Sequence, residues 1–248
     1  MTAPDSSVTA GLDLVFLWHM HQPDYRLPGD GDHQEFTLPW VYLHAIKDYA
    51  DMAAHLERHP QVRAVVNFVP VLLEQIEDYA QQLADTELRD PLLRLLAHPD
   101  PDSLTADERR LVAHACFRTN HERMIDPYPP YKRLLEMYRL VEGHGDVALG
   151  YLDGSYFIDL VTWYHLAWTG ETVRRQEPLL AEMMSQGEGF NVVDRLRLLE
   201  LIRSTLADLI PRYRALAERG QIELSATPYA HHIGPLLLDL AAAREALP

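Results

Sequence analysis

Three short apolar runs constrain this chain more than any other feature, because each stops at a cluster of polar or ring-bearing side chains. The first, 12–18, ends in Val15-Phe16-Leu17-Trp18 and breaks at His19-Met20-His21-Gln22-Pro23. The second, Val62-Arg63-Ala64-Val65-Val66-Asn67-Phe68, runs into Pro70. The third, Gln221 to Ala226, runs into Thr227-Pro228-Tyr229-Ala230-His231-His232. A continuous rather than alternating apolar run predicts that 12–18 is a strand buried on both faces. Helical spacing separates the runs. Ile46, Tyr49, Ala50, Ala53 and Leu56 share one face over 43–58. A second helix is predicted from Val71 to Leu83, and a long one from Asp194 to Arg219, with Gly220 as its stop signal.

Strands alternating with helices predict an α/β fold with a parallel sheet covered by helices. The block from about 88 to 220 is long for a single crossover and predicts an inserted helical subdomain. Within it, Pro99, Pro101, Ser103 and Thr105 break and restart helices. In such folds functional groups collect just past the carboxyl ends of the strands, which is where the three polar clusters stand.

What could those clusters do? His19 and His21 lie two apart, so an extended chain turns both rings to one face. Metal ligation is one reading, with His231, His232 and Asp24 able to complete a set, but no HExxH or equivalent spacing occurs. A second reading is a core histidine satisfied by a backbone carbonyl. The third is recognition of a hydroxyl-rich substrate. His21 and Gln22 would supply donors and acceptors, and Trp18, Tyr25, Trp40 and Tyr229 aromatic faces. Trp163 and Trp168, inside LVTWYHLAWTG, read as core packing.

Charge narrows the partners. With 22 basic and 37 acidic side chains the net is 22 − 37 = −15, which repels phosphate backbones and anionic lipid and leaves neutral polymers unpenalised. Nucleic acid and membranes are therefore not expected as partners. Cys116 is the single cysteine, so no internal disulfide forms and a cysteine zinc site is disfavoured. The N-terminus shows no basic segment followed by an apolar one, and no apolar run reaches the ~20 residues that span a bilayer. A cytoplasmic location is expected, and no cofactor is implied.

FLWHMHQPDYR (16–26) resembles the first sequence region of glycoside hydrolase family 57, which includes amylases and amylopullulanases. LPWVYLHAIKDYADM (38–52), VVNFVPVLLEQIEDY (65–79) and IELSATPYAHHIGPLLLD (222–239) resemble later segments of the same family, in the same order. The resemblance implies a (β/α)7-type barrel and α-glucan or maltooligosaccharide substrates. It places His21 and His231 in the substrate cleft and Trp40 and Asn67 along the same face; His19, Gln22 and Tyr229 are further substrate-binding candidates by their own chemistry. Ala230 and His232 depart from the family's frequent Tyr and Pro. The family's retaining mechanism uses two carboxylates roughly 5–5.5 Å apart, with the nucleophile in a Trp-x-Pro-Glu-type segment. No such segment occurs here. Of the other candidates, Asp153 reads as a turn residue and Glu223 as an outward-facing strand residue, and neither they nor Glu35 is assigned as nucleophile. The expectation is that 1–248 is the N-terminal portion of the catalytic domain. It would form an incomplete barrel, inactive alone and able to self-associate through an exposed edge. The alternatives are a non-catalytic carbohydrate-binding protein and, less favoured, a metal-dependent polysaccharide deacetylase.

Overall fold

A computed structural model describes residues 14–28, 34–232 and 234–246. Three parallel strands form one sheet in the order β1 (Leu17–Met20), β2 (Ala64–Phe68), β3 (Ile222–Ala226). Between β1 and β2 a helical rod comprises α1 (Trp40–His44), a π-helical turn (Ala45–Tyr49) and α2 (Ala50–Arg58). After β2 comes α3 (Pro70–Asp85), opened by a proline whose missing N–H costs nothing at a helix start. The described elements from there to β3 are all helical: α4 (Pro91–Leu96), α5 (Ala106–Ala115), α6 (His121–Met124), α7 (Pro129–Val141), α8 (Gly154–Trp168), α9 (Glu171–Gln176), α10 (Pro178–Gln186) and α11 (Val192–Glu218), with short 3-10 turns among them. Two short helices, α12 (Gly234–Leu238) and α13 (Ala243–Ala246), follow β3.

One face of the sheet is packed. Met20, Ala64, Val66, Phe68 and Ile222 are buried, and α11 packs beside β3 with Tyr213 edge-on to Phe68 at 5.1 Å. Tyr213 also donates to the Tyr49 carbonyl at 2.9 Å, tying α11 to the π turn. The helical block has its own centre in α8, buried nearly all round. Trp163 and Trp168 are core residues there, as their setting in the sequence predicts, and the Trp163 indole N–H donates to the Gly187 carbonyl at 2.7 Å.

The first strand departs from its predicted form. Pairing begins at Leu17, opposite Val65, so the strand lies further along than 12–18; Leu12 lies outside the described residues. Leu14, Val15 and Leu17 are 70, 76 and 61% exposed rather than buried. Val15 and Leu17 have the parity of His19 and so fall on the face that helices do not cover, and Leu14 precedes the paired strand. β3 is likewise exposed along both faces past Ile222.

Two buried ionisable groups set opposing acid responses. Asp90 caps α4 by accepting from the Leu92 and Leu93 N–H groups and also accepts from the Tyr79 hydroxyl at 2.8 Å. Burial outweighs these bonds and raises its pKa to about 6. His165 accepts from the Tyr42 hydroxyl and donates to the Val161 carbonyl, and burial lowers its pKa to about 4. As pH falls from 6 towards 4, native Asp90 takes up a proton before the unfolded chain does, which adds stability. Over the same interval the unfolded chain protonates His165 and the native state refuses, which removes stability. Asp90→Asn keeps the capping acceptor and deletes the compensating gain. Its stability relative to the parent should fall by about 2–3 kcal/mol between pH 7 and pH 4, read from urea unfolding at each pH. A pH-independent difference would refute this balance.

Candidate functional site

The polar clusters meet at the carboxyl ends of the strands. Pairing register places His19 opposite Asn67 and Asn67 opposite Ser225. The Asn67 amide donates to the Ser225 hydroxyl at 2.9 Å and accepts from His19 Nδ1 at 2.7 Å. That direction puts the proton on Nδ1 of His19 and leaves Nε2 free. Side chains alternate along a strand, so this row stands on the face that the helices do not cover.

One residue past the end of β1, His21 turns to the same side. Its ring centroid is 5.8 Å from that of His19 and 4.8 Å from that of His231, with which it stacks at 23°. His231 also lies 4.8 Å from His19. The third ring arrives through a turn closed by the His231 N–H on the Pro228 carbonyl at 2.8 Å, and His231 adopts a left-handed φ of 57°. Non-glycine residues visit that region rarely, and there chiefly near functional or capping sites. Burial lowers the pKa of His21, and the neighbouring His231 and His19 lower it further. His21 is thus neutral at pH 7, one ring nitrogen a donor and the other an acceptor. His231→Asn removes one of these neighbours and should raise the His21 titration midpoint, followed by NMR of its ring protons. An unchanged midpoint would count against the close trio.

A network of ion pairs holds the loops that carry these rings. Arg26 grips Asp24 through Nε and one terminal nitrogen, both at 2.8 Å, and reaches Glu74 on α3 at 2.5 Å. Glu74 in turn accepts from the Tyr229 hydroxyl at 2.5 Å, while the Tyr229 carbonyl accepts from the Val71 N–H. The Tyr229 and Arg26 bonds hold the Glu74 carboxyl below the usual range. Tyr229 therefore tethers the turn leading to His231, a role beyond the aromatic face expected of it. Gln75, fully buried, bonds the Tyr25 N–H and the Pro23 carbonyl and fixes the loop after β1. Gln22 accepts from the Tyr25 hydroxyl at 2.9 Å, and its side chain also acts on the Tyr49 phenol, whose pKa burial pushes up to about 12.

Other candidates fall elsewhere. Trp40 makes its ring contacts with Trp168 and His44 rather than with the trio, because it opens α1 instead of following a strand. His232 is exposed. The core-histidine reading does not hold for His19, which is exposed. No group of three histidine, cysteine or carboxylate side chains among the described residues is arranged to hold a metal ion. Glu35 pairs with Arg94 at 2.8 Å, and Asp153 caps α8 by accepting from the Tyr156 N–H. Glu223 is exposed, as expected, but two residues before Ser225 it shares the open face with His19. Sequence reasoning missed Ser225, Glu74 and Tyr49. Strand parity alone points to Ser225; the other two become visible only in the packing.

The family model for glycosyl hydrolase family 57 matches residues 15–247. The chain belongs to glycosyl hydrolase family 57. No curated protein and no solved structure gives a match to it. Membership carries glycoside hydrolase or transglycosidase activity on carbohydrates as the family's chemistry. The His-Gln-Pro segment and the third strand's His231, which matched the family in sequence, are the groups that converge in space. Among the described residues no helix is long and apolar enough to cross a membrane.

Proposed function

We propose that this family 57 chain supplies the sugar-binding wall of an α-glucan-active retaining glycoside hydrolase or transglycosidase of the amylase and amylopullulanase type. Its three strands would be part of a (β/α)7-type barrel. The convergence of His19, His21 and His231 beside Asn67 and Ser225 carries the reading. The His21 imidazole, the Asn67 amide and the Ser225 hydroxyl each pair a donor with an acceptor, as a sugar hydroxyl requires. A neutral polymer is also the class of partner that the charge of −15 does not repel.

The same surroundings support binding without cleavage. Retaining hydrolysis needs a nucleophile and an acid facing each other across the bond. Asp24 and Glu74 are both committed to Arg26, and the single open-face carboxylate near the row, Glu223, has no described carboxylate opposite it. The 248-residue chain should release no product from starch, pullulan or maltooligosaccharides, while calorimetry detects weak binding of maltoheptaose. Turnover abolished by Glu223→Gln would overturn the inactivity and make Glu223 the nucleophile. An absence of saccharide binding would overturn the wall itself. Exposed Leu14, Val15, Leu17 and β3 offer unpaired strand edge and apolar surface, and self-association there is part of the proposal.

A further inference from the structure

A second constellation lies along the helical rod. The π turn departs from the α ladder at Ile46, whose carbonyl accepts from the Gly170 N–H at 3.0 Å. Gly170 sits so close that a Cβ there would come 2.8 Å from the Lys47 carbonyl and 2.9 Å from Asp51. Asp51 completes the clasp by accepting from the Glu171 and Thr172 N–H groups that start α9. Single π turns inside α-helices occur frequently at functional sites, and along this rod Trp40, His44, Lys47 and Asp48 follow the i, i+4, i+7, i+8 spacing that keeps side chains on one face.

His44, Lys47 and Asp48 come together there. Asp48 receives the Lys47 ammonium on one oxygen and His44 Nδ1 on the other, each at 2.5 Å. All three side chains stay about one-third exposed. Behind them stand two indoles, Trp40 partly exposed and Trp168 buried in the core. Trp40 and Trp168 are 5.7 Å apart, His44 meets Trp168 edge-on at 5.5 Å, and the Lys47 ammonium lies 5.4 Å from the Trp168 ring centre. The constellation is connected to the imidazole site. The His44 ring centre lies 6.4 Å from that of Tyr49, and the side chain of Gln22, the residue after His21, acts on the Tyr49 phenol.

We propose that His44, Lys47 and Asp48, set against Trp40 and Trp168, form a second saccharide subsite that extends the imidazole site by way of Tyr49 and Gln22. It rests on the reading of the trio as a sugar site. The chemistry selects a neutral polyol over an ion. Lys47 and Asp48 already cancel each other, so a charged ligand gains no net attraction. Burial pushes the Asp48 carboxyl up, but its bonds to His44 and Lys47 more than offset this and keep it below the usual carboxylate range. As an anion it retains two free acceptor positions, and Lys47 retains two of its three donors. A fixed acceptor and donor side by side match neighbouring hydroxyls of a pyranose, and the partly exposed Trp40 ring matches its C–H face.

Length dependence separates this subsite from the first. Affinities of the 248-residue chain for maltose and maltoheptaose are measured by calorimetry. Asp48→Asn and Lys47→Met should each lower the maltoheptaose-to-maltose affinity ratio about tenfold, the loss typical of a hydrogen bond to a charged group. His21→Ala should weaken both sugars and leave the ratio as it was. An unchanged ratio in both Asp48→Asn and Lys47→Met, with each variant folded by circular dichroism, overturns the second subsite and leaves the first standing. Failure of the parent chain to bind either sugar overturns both.

Discussion

His21→Ala is expected to cut maltoheptaose affinity about 10²-fold, or ~2.7 kcal/mol. His21 occupies the middle of the constellation, stacked on His231 and facing His19. Truncation removes a donor and an acceptor at once, and leaves two rings without the surface that holds them in place. Each lost bond to a partly desolvated group costs about 1 kcal/mol or more, so two such losses plus the loosening of His231 account for the total. His21→Asn restores a donor and an acceptor on a shorter side chain and should recover part of the loss. Neither change should alter stability much, because the ring is half-exposed and outside the packed core. Calorimetry at pH 7 gives the affinities. Retention of full affinity by the alanine variant would remove His21 from the binding surface.

Gly154→Ala should be the most damaging single methyl in the helical block. Gly154 opens α8, and a Cβ on it would lie 2.0 Å from the carbonyl oxygen of Pro101 and 2.4 Å from its carbon. Both are backbone atoms, so no side chain can swing aside. The 3-10 turn Pro101–Ser103 is itself held by Asp100, whose carboxylate accepts from the Asp102 N–H and whose carbonyl accepts from the Ser103 hydroxyl. Either that turn or α8 must shift, and α8 is the buried centre of the block. Overpacking costs typically 1–3 kcal/mol and more when the backbone must move. A loss of about 3 kcal/mol corresponds to a fall in Tm of roughly 6–12 °C at this chain length. Thermal unfolding within 2 °C of the parent would show that the turn yields freely.

Much of the site was legible because strand ends announce themselves. Val65, Val66 and Phe68 carry the β-branched and aromatic signature of β2, and Asn67 interrupts it at the position that faces His19. His19 and His21 share a face by spacing alone. Less legible were contacts that join distant segments. Nothing near Glu74 hints that it binds Arg26 and Tyr229, because α3 carries other acidic residues with the same local appearance. The helix over 43–58 was readable from its apolar spacing, whereas its π turn depends on Gly170, more than a hundred residues away. Apolarity also misled at Leu14, Val15 and Leu17. It reports what a side chain would gain by packing, not whether a neighbour is there to pack against.

The row formed by His19, Asn67 and Ser225 crosses all three strands at one level. Side chains along a strand alternate with a period of two, so a slip of a single residue sends every member of that strand to the opposite face. A β2 displaced by one position would press Asn67 into the packed layer in place of Val66 or Phe68 and would strip His19 of its partner. Mispairing would thus bury an amide and erase the recognition surface in the same step. The row acts as a proofreading mark: only the alignment that keeps polar groups out of the core also builds a surface able to hold a ligand.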